Sequence, residues 1–311
     1  MMARVLAVAL NAYREAVRAR VLHAMLALGF AASVYALFVG ALSIHEERRV
    51  VADLGAASTS LGAVLAAIVL GSTTLHREIE RKTIVPMLTR ALRRHEYLVG
   101  KYLGTLLTLV VFIALQGGCA LGFLAAESGA AGQALAVSAA LVAALVVVAR
   151  WMPRRSTDAV VPWSFVWFAA MAALVPADGE RRLLLASCAL AVSEVAIVCA
   201  LASFFASFAS PALTAVFTLG AFVAGREADA LGNLPARVFG PLGPTFRAVG
   251  KALAHAVPNL QLYVPPRALL LGQVPEMPVW SFVASAAQNA LMYALLFVTL
   301  AAILFQRRDL P

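Results

Sequence analysis

Long apolar runs alternate with short charged clusters along this chain. No Asp, Glu, Lys or Arg occurs from Val21 to Ile44, Leu54 to Leu75, Tyr102 to Ala126, Ser128 to Ala149, Ala159 to Ala177 or Met277 to Gln306. From Leu183 to Gly225 there is one charge, Glu194, and a break at Pro211. A helix needs about 20 mainly apolar residues to cross the hydrocarbon core of a bilayer. Runs rich in Ala and Leu favour helix, and a helix satisfies its own backbone in lipid. The short alternating segments of a membrane barrel are missing. The pattern predicts an all-α, polytopic membrane fold with spans at Val21–Leu42, Ala56–Leu75, Tyr102–Leu124, Gln133–Ala149, Val160–Val175, Leu183–Phe205, Leu213–Ala224 and Ser281–Phe305. That makes eight crossings, or six if the pair within 127–182 is an insertion that does not fully cross. Trp163 and Trp167 suit an interfacial aromatic belt.

The flanks of these runs have their own character. Residues 1–20 form an amphipathic helix, with Arg4, Asn11, Arg14, Glu15 and Arg18 on one side and Val5, Leu6, Val8, Ala9 and Ala12 opposite. Such a helix lies along a membrane surface and turns into the first span as an elbow. The first apolar run has no convincing cleavage signal after it and is expected to be retained. Between Arg226 and Pro278 eight prolines punctuate the chain, which predicts an extracytoplasmic cap over 226–280 built of short helices and loops. The whole of 1–311 is expected to form one membrane domain.

Charge then sets orientation. The chain is 62% hydrophobic and 13% charged, with net charge +9. Placing the N-terminus inside puts the Lys/Arg excess of 1–20, 76–101, 150–158 and the tail on the cytoplasmic side, which the positive-inside bias favours. Both termini are therefore expected in the cytoplasm. The bases form separate collars near span ends, as suits anionic lipid, and do not form one groove for nucleic acid. Cys119, Cys188 and Cys199 lie in apolar helices without metal-ligand spacing. His45-Glu-Glu-Arg-Arg49 lacks the second histidine of a zinc-protease helix, and no G-x-x-x-x-G-K-[ST] loop occurs. No catalytic, cofactor or metal residue is expected in the chain.

Three sets of residues are candidates for function. The segment 76–101 mixes dense charge with Ile79, Ile84, Val85, Met87 and Leu88, a combination suited to docking another protein. Glu194 is the one acid well inside an apolar span; such a residue is expensive there and is either functional or held by a hydrogen bond to Ser187, Ser193 or a neighbouring helix. Gly100-x-x-x-Gly104 and Gly118-x-x-x-Gly122 let the third span approach a neighbour closely. Ser203, Ser207 and Ser210 lie on one helix side before Pro211, where they satisfy carbonyls near the break.

On these residues the chain resembles the permease subunits of ABC-2 type exporters (type V exporter-like fold), in particular the permease of the nitrous-oxide reductase maturation system. The family's segment between spans two and three is matched by Glu80, Thr83, Arg94, Glu96, Gly100 and Lys101. Further matches are Phe204–Pro211, Pro258-Asn-Leu260 and Phe305–Leu310. Lys82 and Ala91 stand where the family usually has Gly and Pro. The resemblance implies a coupling segment at 76–101, with Arg77, Glu78, Glu80, Arg81, Thr83, Arg94, Glu96 and Lys101 receiving the motion of a cytoplasmic ATPase dimer that binds ATP and Mg. It also implies a second permease copy or a related permease, a bacterial inner-membrane location, and room for an accessory membrane or extracytoplasmic partner. Two other readings use the same features: an ion-coupled secondary transporter, and a membrane scaffold that does not transport.

Overall fold

The computed structural model describes residues 2–43, 46–80, 93–152, 156–233, 243–264 and 278–307. Among the described residues the fold is entirely helical: α1 Met2–Val17, α2 Arg20–Leu42, α3 Glu47–Glu80, α4 Arg94–Ala125, α5 Ala131–Trp151, α6 Ser156–Leu174, α7 Gly179–Ala206, α8 Pro211–Arg226, α9 Ala228–Gly232, α10 Gly243–Ala256, a 3-10 turn Leu260–Tyr263, and α11 Val279–Arg307. Among the described residues six stretches are long and apolar enough to cross a membrane. One of them, Arg94–Trp151, contains both α4 and α5. Its helical path is broken at Gly129, whose φ of 87° is in the left-handed region that glycine adopts without steric cost. The protein is thus a multi-spanning helical membrane protein, with every apolar run expected from the sequence found in helix.

α7 is the axis of the bundle. It is apolar on all sides, and such a helix belongs in an interior. α3, α4, α8 and α11 surround it. Contact is close because the facing residues are small. A Cβ on Gly71 of α3 would lie 2.5 Å from Ala202 Cβ, and one on Gly117 of α4 would lie 2.6 Å from Cys188 Sγ. Small residues let helix backbones approach where lipid offers no hydrophobic drive between helices. α3 runs alongside α7 in the same direction, with Gly55 near Leu184 and Gly71 near Ala202, while Gly55 near Ala120 and Gly62 near Phe112 set α4 antiparallel to it. The bundle therefore has two ends. The starts of α3 and α7 share one; the start of α4 and the end of α11 share the other, here called the elbow end.

Two element boundaries differ from the sequence expectation. α3 and α4 extend well past the apolar runs, so the expected loop 76–101 begins and ends inside long helices. Lipid sets where the apolar run stops, but a helix continues while its backbone bonds are made. α8 also runs past its apolar run Leu213–Ala224, by two residues at each end, and is still short. At 16 residues it is about 24 Å long, short of the roughly 30 Å hydrocarbon core. It starts at the elbow end behind Ser210 and Pro211, and its last turn stops beside the middle of α7. The chain then folds back, and Pro258-Asn259-Leu260 packs on the end of α8. A Cβ at Gly225 would lie 2.7 Å from the Pro258 carbonyl oxygen. Leu260 and Tyr263 are buried in the main core, so this part of the expected cap packs into the bundle.

The pair α5–α6 sits to one side. α6 packs on α4 through Trp167 against Gly118 and Met171 against Gly122. Trp163 and Trp167 stack at 5.8 Å, and Trp163 Nε1 donates to the Leu141 carbonyl oxygen of α5 at 2.8 Å. These indoles bind helix to helix.

Candidate functional site

At the elbow end, α1 is seated in the groove that glycine opens on α4. A Cβ at Gly100 would meet Val8 Cβ at 2.7 Å, and one at Gly104 would collide with the Ala9 carbonyl oxygen. Gly100-x-x-x-Gly104 thus contacts the elbow, and Gly118-x-x-x-Gly122 contacts α6. Ala9, Ala12, Tyr13 and Ala16 form the buried side of α1. Tyr13 donates to the Thr157 carbonyl oxygen at 3.0 Å, and Arg14 grips Asp158 with two hydrogen bonds of 2.8 and 2.6 Å. Burial, helped by the Asp158 charge, pushes the Tyr13 phenol up to about 12.

The first turns of α4 carry the described part of the expected coupling set. Glu96 is buried and accepts a hydrogen bond from the Arg93 amide at 3.2 Å, so it caps its own helix at the third position. Lys101 is buried, with its Nζ 3.2 Å from Glu15 Oε2 of α1. Arg94 donates to the Gln306 carbonyl oxygen at 3.1 Å, and Tyr97 stacks on Phe305 at 6.4 Å. Phe305 and Gln306 at the end of α11 therefore clamp the start of α4. The side chains of Arg77, Glu78 and Glu80, together with Arg81 and Thr83, lie outside the described residues, as do His45, Lys82, Ala91 and 308–310.

The second assembly lies deep in the bundle, around Glu194. Glu194 is fully buried in α7, and Ser60 of α3 donates to its Oε2 at 2.9 Å. Arg226, at the end of α8, places Nε 3.0 Å from Glu194 Oε1 and donates from Nη2 to Oε2 at 3.3 Å. The Nε contact lacks hydrogen-bond geometry, so Oε1 has a nearby charge but accepts no hydrogen bond. Phe222, one turn back, lies 5.6 Å under the guanidinium, within reach of a cation–π contact. An arginine in the last turn also meets the negative end of the helix dipole. Neither Ser187 nor Ser193 holds the carboxylate: Ser187 lines the cavity described next, and Ser193 donates to the Ala189 carbonyl oxygen at 3.3 Å.

A cavity of about 510 Å³ opens above this pair, bounded by α3, α7, α8 and the 3-10 turn. Asp53, Ser60, Phe222, Arg226, Glu227 and Tyr263 contribute to its lining. Sequence reasoning singled out Glu194 but assigned Arg226 to the outer loop. The run Leu213–Ala224 reads as short, and the consequence it hides is that a helix too short to cross delivers its terminal arginine to the depth of the acid on its neighbour. Where α3 and α7 begin, Arg48 of α3 pairs with Asp178, the N-cap of α7. Burial pushes the Asp178 carboxyl up, but the Arg181 amide and the Arg48 guanidinium outweigh it and hold the group below the usual carboxylate range.

Ser203 and Ser207 donate back to the Cys199 and Phe204 carbonyl oxygens before the Pro211 break. Cys119, Cys188 and Cys199 are free thiols. No protein-family model matches the chain, and no curated protein matches it either.

Proposed function

We propose that this chain is the permease subunit of an ATP-driven transporter of the ABC-2 type, acting in a bacterial inner membrane with both termini in the cytoplasm. It acts beside a second permease, and a separate ATPase pair binds ATP and Mg. The observation that carries the reading is the clamp at the start of α4. Arg94 and Tyr97 join that helix to α11, while Lys101, Gly100 and Gly104 join it to α1. A push on the segment joining α3 to α4 is thereby passed to the elbow, to the last span and, through α3 and α4, to the central α7. A change of access needs contacts that differ between two states, and a segment set between two long helices is suited to supply them. In this reading ATP hydrolysis belongs to the separate pair, since no phosphate-binding loop motif occurs in this sequence.

Purification of the tagged full chain from its native membrane in mild detergent tests the proposal. The expected result is a co-purifying ATP-hydrolysing subunit, lost when residues 81–92 are replaced by a Gly/Ser linker. Recovery of the chain with no such subunit contradicts it. The Glu194–Arg226 pair beneath an open cavity gives the ion-coupled reading a specific foothold. That reading predicts substrate uptake driven by a proton gradient in vesicles holding this chain alone.

A further inference from the structure

α11 has two sides of different make. Ala286, Ala290, Ala294, Val298 and Ala301 are buried in the main core. On the opposite side Ser285, Asn289, Met292, Leu296, Thr299 and Ile303 recur at alternating steps of four and three residues. All but the half-buried Asn289 are exposed. Such a 3.5-residue repeat forms the seam along which one helix winds on another. A hollow of about 630 Å³ lies on this seam, with Asn289, Met292, Tyr293 and Leu296 among its walls. Their spacing is that of the four residues which together receive a knob from a facing helix.

The seam also carries side chains that lipid does not serve. Gln288 is exposed beside Asn289, and neither makes a hydrogen bond among the described residues. Ser285 and Thr299 donate to the Phe282 and Leu295 carbonyl oxygens of their own helix at 2.8 and 2.6 Å. The hydroxyls are thus met locally, and the amides are not. Their depth follows from register. Phe204 of α7 and Phe297 of α11 lie 6.0 Å apart, and both helices run toward the elbow end. One stretch earlier on each, Gln288 and Asn289 come level with Val195 and Ala196, next to Glu194. Asn289 is about 15 Å past the start of α11, inside the hydrocarbon. α5, an outward-facing helix of the same molecule, shows what lipid alone selects. From Ala134 to Ala149 its one polar side chain is Ser138, which donates to the Ala134 carbonyl oxygen at 2.6 Å. An amide at such depth is costly unless a neighbouring helix bonds it.

We infer that α11 packs along this seam on α11 of a second copy of this chain, with the two Asn289 amides bonded to each other. A carboxamide holds both donors and an acceptor, so it complements its own copy, which lipid tails do not. Copies inserted the same way up are related by a twofold axis along the membrane normal. That axis brings equal positions together at equal depth. The polar pair fixes the register, while Met292 and Leu296 enter the hollows. This names the face at which the second permease of the proposed function sits. It rests on that reading only in calling the pair a transporter, since the copies meet with or without an ATPase.

The test places single cysteines in the full chain in native membranes and oxidises them mildly with copper phenanthroline. Met292→Cys and Leu296→Cys are expected to give disulfide-linked dimers of the chain that the parent, with its three native thiols, does not give. Leu291→Cys, off the seam on the same helix, and Val216→Cys on α8, both exposed in the parent, are expected to stay at the parent's level. Subunit counting by single-molecule photobleaching in dilute liposomes then measures association. Asn289→Leu is expected to weaken it about tenfold, or about 1.4 kcal/mol, with no loss of thermal stability, because leucine suits lipid better than an amide. Parent-level cross-linking at both seam positions, equal cross-linking at Leu291→Cys or Val216→Cys, a product joined to another protein instead, or unaltered association of Asn289→Leu overturns the inference. A dimer through α11 with no co-purifying ATPase upholds it and removes the transport reading; an ATPase recovered with a chain that does not pair through α11 does the reverse.

Discussion

α5 and α7 are both apolar and long enough to reach across a membrane, yet their surroundings are opposite. α5 buries Ala134 alone among its residues and exposes Leu135, Val142, Val146 and Val147. α7 is buried along most of its length and has four helices around it. Hydropathy does not separate them, because lipid tails and a helical interior are equally apolar solvents. What separates them is the partner. α7 meets glycine on α3 and α4, and it carries Glu194, which lipid would not accept and only a protein interior can compensate. α5 carries β-branched side chains facing outward and is tied down through Trp163 and the turn at Gly129.

The largest effect is expected where α7 differs most from α5. Arg226→Ala leaves Glu194 buried without its counter-charge and is expected to cost about 3–5 kcal/mol, read by reversible unfolding in bicelles. The double variant Glu194→Gln with Arg226→Gln should recover most of that loss. A single variant within about 1 kcal/mol of the parent, a small change by general mutational experience, removes the ion pair from the explanation of α7. Next comes close packing. Gly71→Val forces a side chain against Ala202 and is expected to cost about 1–3 kcal/mol in the same assay. An unchanged stability would mean that α3 and α7 are not locked together there.

A smaller effect is expected at the start of α7. The Asp178 carboxyl is held below its ordinary value in the folded protein. Its contribution is therefore present above the unfolded carboxylate value of about 3.9 and is lost as pH falls through the lower folded value. The acid limb of a plot of Tm against pH should flatten in Asp178→Asn; an unaltered limb would show that the Arg48 and Arg181 contacts do not contribute. The smallest effect belongs to α5. Val146→Ala and Val147→Ala, facing outward at 58% and 56% exposure, should each change stability by no more than about 0.5 kcal/mol. A loss several times larger would mean that another protein covers this face.

Much of the architecture was legible because membranes impose a one-dimensional rule. The apolar run from Leu183 to Phe205 predicted α7 within a few residues, and the amphipathic pattern of 1–20 predicted α1. The spacing of Gly100, Gly104, Gly118 and Gly122 marked places of close approach, although it could not say that the elbow fills one and α6 the other. Less legible were features set by tertiary partners. Glu96 and Lys101 were expected to receive a partner's motion, and the contacts they make were not legible: the first caps its helix and the second pairs with Glu15. Arg226 read as a loop base because hydropathy measures how apolar a run is, not whether its helix reaches the far side. The Leu141 carbonyl as partner of Trp163 was not legible, because an indole reads the same whether water or a neighbouring carbonyl accepts its N–H.

We propose that an external motor presses the junction between α3 and α4 from the cytoplasmic side. The most direct measurement replaces Thr83 with a photoreactive benzoylphenylalanine in living cells, with the same residue at Val146 as a control, and identifies the cross-linked product. The account predicts an adduct between position 83 and a cytoplasmic ATP-hydrolysing protein, and none at position 146. Adducts confined to extracytoplasmic proteins, or labelling of Thr83→Cys by a membrane-impermeant maleimide added outside intact cells, would contradict it.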